Sequence, residues 1–392
     1  MTNVIDNAEP EENLTDNLFG SATYEAEEKV KKDFLPWHKP RKQFVRDRQW
    51  SDLILRMVEK IELENNQLRY LGLPGDDLLD LRHFHDTICV PKNLTMKFLG
   101  FNRGIASGKE HNSDLEISLD EVKKLSNIDS TSDLSGDEFC QIGIPRSMAQ
   151  QSVQKFGPYE IINIDLCDGF AKHPLSADIN ANYFETLRYL MYFQARRTRP
   201  WLLFITTRTD SAHIDSERFT ILKNLYEKNL KDCESFLAES TKSFSINDRE
   251  GLETYCLQEE GTSNIFLTSL CKWIISMAIE QNPPSTVELQ STIGYKIKHE
   301  ASSPDLFSIA IKITPTDKVL PDTIGLTSRA DNPLNEGELA TKIIKRLSKQ
   351  KDADSFLIQH EEVMEEMVTS SIALLEKARY DTSGYSNWAK TT

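Results

Sequence analysis

The sequence lacks any C-x-x-C pair, although it holds six cysteines, Cys89, Cys140, Cys167, Cys233, Cys256 and Cys271. No cysteine and histidine group has zinc spacing, and the pair His83 and His85 has no second ligand pair beside it. We therefore expect no metal, and reduced thiols in a reducing compartment. No uninterrupted apolar run approaches the roughly 18 residues of a membrane span. The opening stretch MTNVIDNAEPEENLTDN is acidic and carries no basic-then-apolar leader. The expected location is the cytoplasm, away from any membrane. Also missing are G-x-S-x-G, the phosphate-binding G-x-x-x-x-G-K-[ST] and H-E-x-x-H, which sets hydrolase readings aside. No internal repeat is present.

What is there suits a large α/β core. The chain has 392 residues, 39% hydrophobic and 27% charged, enough for one elaborated domain or for two or three. The net charge of −15 argues against a molecule that coats nucleic acid with its whole surface. The charge is uneven, however. Residues 1–29 contain eight acidic side chains and one lysine, whereas 31–48, KKDFLPWHKPRKQFVRDR, contain seven basic and two acidic ones. The first stretch reads as a disordered acidic tail to about residue 30. The second is interrupted by Pro36 and Pro40 and leads into an amphipathic helix on Trp50, Leu53, Ile54, Met57, Val58 and Ile61, with Ser51 or Asp47 as its start.

From residue 67 strands alternate with helices. QLRYLGL, LTMKFLGF, YEIINIDLCD and WLLFITTR read as successive buried strands, and 102–138 as a polar region of loops around one short helix. Two further strands, around PPSTVELQSTIGYKIKH and LFSIAIKIT, form an antiparallel hairpin, and two helices follow it. The expected fold class is α/β: a mostly parallel Rossmann-like sheet covered on both faces, closed by the C-terminal hairpin and carrying helical extensions. The expected divisions are 1–30 (acidic tail), 31–66 (basic segment and helix), 67–315 (α/β domain) and 316–392 (helical extension).

Three places carry candidate chemistry. Tyr70-Leu-Gly72-Leu-Pro74-Gly75-Asp76-Asp77 has the context strand, turn, helix. The second strand ends at Asn102-Arg103. Asn163-Ile-Asp165-Leu-Cys167-Asp168-Gly169-Phe170 lies at the carboxyl end of the strongest buried strand, the edge at which open α/β sheets bind ligands.

The order of elements and these motifs resemble class I S-adenosylmethionine-dependent methyltransferases over roughly residues 65–315. The resemblance implies that Gly72 and Gly75 let the backbone approach S-adenosylmethionine, the plain alternative being a tight turn capped by Asp76 or Asp77. It implies that Asn102 stands where a carboxylate would hold the ribose, a departure, since a neutral amide binds a diol less well. It implies that Asp165 or Asp168 orients a base amine while Phe170 stacks on the base. The flanking prolines of that pattern are absent, and capping is the alternative. Trp37, Lys39, Arg41, Lys42, Arg46 and Arg48 could grip nucleic-acid phosphates and stack a base, or pair with the acidic tail or a partner protein. Arg196, Arg197 and Arg199 are read as complementing a helix dipole, and Thr206–Asp210 as a solvated loop.

Two functions follow. One is a methyltransferase-like subunit with an eroded cofactor site that binds another protein, in a branch of uncharacterised bacterial proteins associated with anti-phage defence. The other is an active methyltransferase on nucleic acid.

Overall fold

A computed structural model describes residues 30–31, 33–105, 112–172, 179–297, 303–316, 326 and 334–390. The acidic stretch read as a tail lies almost wholly outside them.

The strands are β1 (Gln67–Gly72), β2 (Thr95–Phe101), β3 (Asp133–Ser135), β4 (Ile161–Asp165), β5 (Trp201–Arg208), β6 (Ser285–Tyr295), β7 (Leu306–Pro315) and β8 (Lys351–Asp352). The helices preceding β3 are α1 (Pro40–Val45), α2 (Asp52–Val58), α3 (Leu79–Phe84), α4 (Val90–Lys92) and α5 (Ser113–Lys124). Then come α6 (Met148–Phe156), α7 (Tyr183–Gln194), α8 (Ser216–Asp232), α9 (Glu234–Phe244), α10 (Arg249–Tyr255) and α11 (Glu259–Ile279). The last four are α12 (Glu336–Leu347), α13 (Ala353–Gln359), α14 (Glu361–Glu376) and α15 (Tyr385–Lys390).

All eight strands form one mixed sheet in the order β3-β2-β1-β4-β5-β7-β6-β8. Strands β1 to β5 run parallel, and β7 is antiparallel to both β5 and β6. The chain moves outward from β1 to β2 and β3, then returns to β4 on the other side of β1. The carboxyl ends of β1 and β4 therefore flank a switch point, where ligands settle in such sheets.

Alternation along the strands sorts the side chains onto two faces. Leu71, Ile162, Ile164, Leu203 and Ile205 join one core with α6 to α12. Tyr70, Ile161, Leu202 and Phe204 join the other with Phe44, Val45, Trp50, Leu357 and Met367. All eight residues of β5 are buried, as a central strand covered on both faces requires. Helix α11 has the length and composition to cross a membrane, but 72% of its most apolar window is buried inside this fold.

Three local outcomes differ from the sequence reading. Pro40 does not interrupt the basic segment; it is the first residue of α1, where a missing N–H costs nothing. The helix then continues through a π-turn at Arg46–Ser51 into α2, so it starts well before the expected Ser51 or Asp47. The polar region holds a short strand, β3, paired in parallel with β2.

The two ends of the described chain meet. The Lys31 amide donates to the Arg379 carbonyl (2.9 Å) and the Asp381 amide donates to the Lys31 carbonyl (2.9 Å). Phe34 joins a small third core with Leu79, Leu375, Tyr380 and Tyr385.

Candidate functional site

Two compartments open at the carboxyl edge of the sheet, with Leu73 in the wall of both. The larger, about 550 Å³, is built from residues that follow β1, β2, β3 and β4. Leu73, Phe101, Phe139 and Tyr183 give it apolar walls, and Arg103, Asp137, Glu138, Asp168 and Lys172 give it charge of both signs. Its volume and mixed lining suit a nucleotide-sized ligand. The smaller, about 250 Å³, lies on the other side of the β1 loop and is lined by Trp37, Arg46, Gly75, Asp77, Asp80 and Asp165 among others.

The two carboxylates that sit three apart in sequence are thus divided between compartments. Asp165 ends β4 and, by alternation, shares a face with Ile161 and Asn163, the face covered by the N-terminal helix. There its Oδ1 accepts from Lys42 Nζ at 2.5 Å, and Lys42, 4% exposed, also lies 4.4 Å from the centroid of Trp50. Asp168, beyond the strand, faces the larger cleft and accepts from Lys172 Nζ at 2.7 Å and from the Gly169 amide at 2.8 Å. Partial burial pushes the Asp168 pKa up, but the Lys172 ammonium and the Gly169 amide outweigh it, and the net shift is downward. Phe170 is fully buried and packs on Tyr183 and Phe184 at 5.8 and 5.1 Å between centroids. Its ring belongs to the core, which removes it as a platform for a base.

The residues expected around a cofactor do not converge on the larger cleft. A Cβ on Gly72 would stand 2.5 Å from Tyr70 Oη, so the missing side chain makes room for a buried ring. Gly75 has nothing within 4 Å of its Cβ position and faces the smaller compartment. Asn102 donates to the Pro74 carbonyl (3.1 Å) and to Asp76 Oδ1 (2.9 Å), and its own oxygen accepts from the Gly104 amide (2.9 Å). It ties the β1 loop to the β2 loop with both ends of its amide engaged. S-adenosylmethionine therefore fits the cleft by volume but not by the ribose grip that the resemblance implies, and we derive no step through it.

The capping alternative takes another form as well. Asp76 accepts from Asn102 and from Asn112 Nδ2 (2.9 Å), fastening loops together. Asp77 accepts from Lys31 Nζ and from Tyr380 Oη (2.8 Å), with His38 Nε2 at 3.6 Å. Burial alone would raise its pKa, but His38 and Lys31 hold it down to about 2.

The basic segment is turned inward. Lys42 meets Asp165, and Arg46 meets Asp80 at 2.6 Å with both partners buried. Arg41 pairs with Asp354 at 2.8 Å, Arg48 with Glu366, and Lys39 donates to the Trp388 carbonyl at 2.7 Å. Trp37 lines the smaller compartment at 40% exposure. Lys42 and Arg46 are thereby withdrawn from any phosphate-gripping surface. Further along, Arg197 pairs with Glu160 at 2.9 Å rather than serving a helix dipole, and Thr206–Arg208 lie inside β5.

Sequence reasoning missed His213, whose Nδ1 lies 2.8 Å from Asp210 and whose Nε2 lies 3.6 Å from Asp168. It missed Tyr183 too, whose phenol burial pushes up to about 12, and Cys140, whose thiol burial and Glu138 raise to about 11. Neither presents an anionic nucleophile near neutral pH. Nothing in local sequence marks these three, which come from separate places: Cys140 follows β3, Tyr183 opens α7 and His213 follows β5. No group of residues able to hold a metal occurs among the described residues.

Comparison with solved structures finds similarity to a crystal structure described as a class I S-adenosylmethionine-dependent methyltransferase from Listeria monocytogenes. That match has a TM-score of 0.35 and 12% identity, over 79% of this chain and 70% of that one. Comparison with curated proteins gives no match. The sequence model of the PP_RS20740-like family matches residues 31–390, and the chain belongs to that family.

Proposed function

We propose that this chain is a methyltransferase-like protein whose cofactor site has eroded and that it acts as a binding or assembly subunit for another protein. One observation carries the reading: the carboxylate at the end of β4, where a target amine would be oriented, is neutralised by the buried Lys42 ammonium at 2.5 Å. The engaged amide of Asn102 and the buried ring of Phe170 support it. Titration calorimetry of the full chain with S-adenosylmethionine and S-adenosylhomocysteine, beside Asn102→Arg, tests it. The expected result is no heat at high ligand concentration, followed by co-purification with a neighbouring gene product. Micromolar binding that Asn102→Arg abolishes would overturn the reading.

One observation favours the rival, an active methyltransferase on nucleic acid: the open 550 Å³ cleft with Asp168 at its edge. Under that reading Asp168→Ala abolishes methyl transfer without unfolding the chain, and unchanged transfer sinks it. The defence setting implied by the resemblance is tested by plaque counts on cells with and without the gene.

A further inference from the structure

A third compartment, about 260 Å³, lies away from both sites described above, at the β6 edge of the sheet. Its lining includes five cationic side chains, Arg48, Arg56, Arg346, Lys349 and Lys351, and one carboxylate, Asp52. In a chain of net charge −15 this is a marked local reversal. The cations come from three separate elements: the helix formed by the π-turn and α2, the end of α12, and β8 with the residues before it.

A bulge in β6 shapes the groove. The register with β7 shifts between Leu289 and Ser291, leaving Gln290 as the extra residue. Leu289 accordingly packs in one core, while Ile293 and Tyr295 pack in the other. The four residues from Gln290 to Ile293 all line the groove. Among them Thr292 is 3% exposed, and its hydroxyl is buried with no hydrogen-bond partner among the described residues.

The cations are engaged to different degrees. Arg48 pairs with Asp47 and Glu366, Arg56 stands 3.7 Å from Asp52, and Arg346 Nε donates to the Gln290 carbonyl at 2.6 Å. The Lys351 ammonium is 5.6 Å from the Phe356 ring centroid, and the Lys349 side chain has no partner among the described residues. The carboxyl end of α12 brings partial negative charge to the same place and offsets part of this field. A positive excess remains after these subtractions. A single carboxylate would use one of the cations; a ligand bearing several closely spaced negative oxygens would use most of them.

We propose that this groove binds phosphate groups, those of a free nucleotide or of a nucleic-acid strand. Lys349, Lys351, Arg56 and Arg346 supply the charge. The proposal does not rest on the cleft at the β1 and β4 ends.

The test is fluorescence anisotropy of the full chain with a short labelled single strand at low salt, with ATP and inorganic pyrophosphate as competitors. The paired reversal Arg56→Glu with Lys349→Glu, at two exposed positions, is expected to weaken strand binding by about tenfold or more and to lower the salt slope by about 1.4. Melting temperatures of the wild type and of the paired reversal separate lost binding from lost folding. The reversal should leave the melting temperature of the free chain nearly unchanged while it weakens the strand complex. Strand binding that the reversal weakens and that ATP or pyrophosphate displaces supports the proposal with a free nucleotide as the source. Strand binding that the reversal weakens but the small anions do not displace supports it with a strand as the source. Absence of binding to every probe, or binding that the paired reversal leaves unchanged, overturns it.

Discussion

Lys42, buried on the first helix of the described chain, and Asp165, half-buried at the end of β4, form an ion pair across 123 positions of sequence, with Nζ and Oδ1 2.5 Å apart. The pair fastens the N-terminal helix to the switch point of the sheet, and the face of Trp50 covers the ammonium from the far side. Removing one member leaves the other charge poorly solvated. Lys42→Met should therefore destabilise the chain by about 3 kcal/mol, while Lys42→Met with Asp165→Leu should recover most of the loss. Urea unfolding of both variants measures this, and a double variant no better than the single one would show that the pair is not an isolated unit.

Acid should loosen the fold well above the carboxylate range. His83 is buried, and that burial, with Arg46 adding to it, lowers its pKa to about 4 against the upward pull of Asp80 and Asp86. Gln43 and Asp47 also face its ring. The unfolded chain binds a proton there below about pH 6.5 and the folded chain does not, so stability falls as pH drops from about 6.5 towards 4. The loss from this group is at most about 3 kcal/mol. His38, also lowered by burial against the pull of Asp77, titrates in the same direction, so His83→Gln should flatten the slope only in part. Asp77, held down to about 2, keeps its contribution until the pH passes below about 4. Urea midpoints over that range, for wild type and His83→Gln, supply the measurement; identical slopes would contradict the assignment.

The two glycines of the β1 loop should answer oppositely to the same change. Gly72→Ala drives a methyl into the Tyr70 ring and should cost about 1–3 kcal/mol. Gly75→Ala meets nothing within 4 Å and should be neutral or stabilise by about 0.4–1 kcal/mol. Thermal melts of the two variants separate these outcomes.

The strands were legible in sequence because a parallel strand covered on both faces must be a continuous apolar run, as WLLFITTR is. β3 was not legible, because Asp133–Ser135 owes its extended form to pairing with β2 and has no apolar pattern of its own. The inward turn of the basic segment was equally hidden. Its partners Asp165, Asp354 and Glu366 lie more than a hundred residues away, and sequence near Lys42 or Arg48 contains no trace of them. Asp165 and Asp168 both lie at the carboxyl edge of the sheet. Their separation into two compartments follows from where the strand stops, at Asp165, which propensity does not resolve to a single residue.

The meeting of Lys31 with Arg379 and Asp381 also bears on the order in which the protein is made. On the ribosome, residues 31–48 emerge before all the groups that secure them, with Asp77, Asp80 and Asp165 following first and Asp354 to Trp388 later. Lys42 and Arg46 can meet their partners once β4 is made, but Arg41, Arg48 and Lys39 wait for α13, α14 and α15. A chain stalled or cut before α14 would keep its central sheet yet leave that helix only partly anchored and the apolar face beneath it incompletely covered. Such a product would be a substrate for chaperones and proteases.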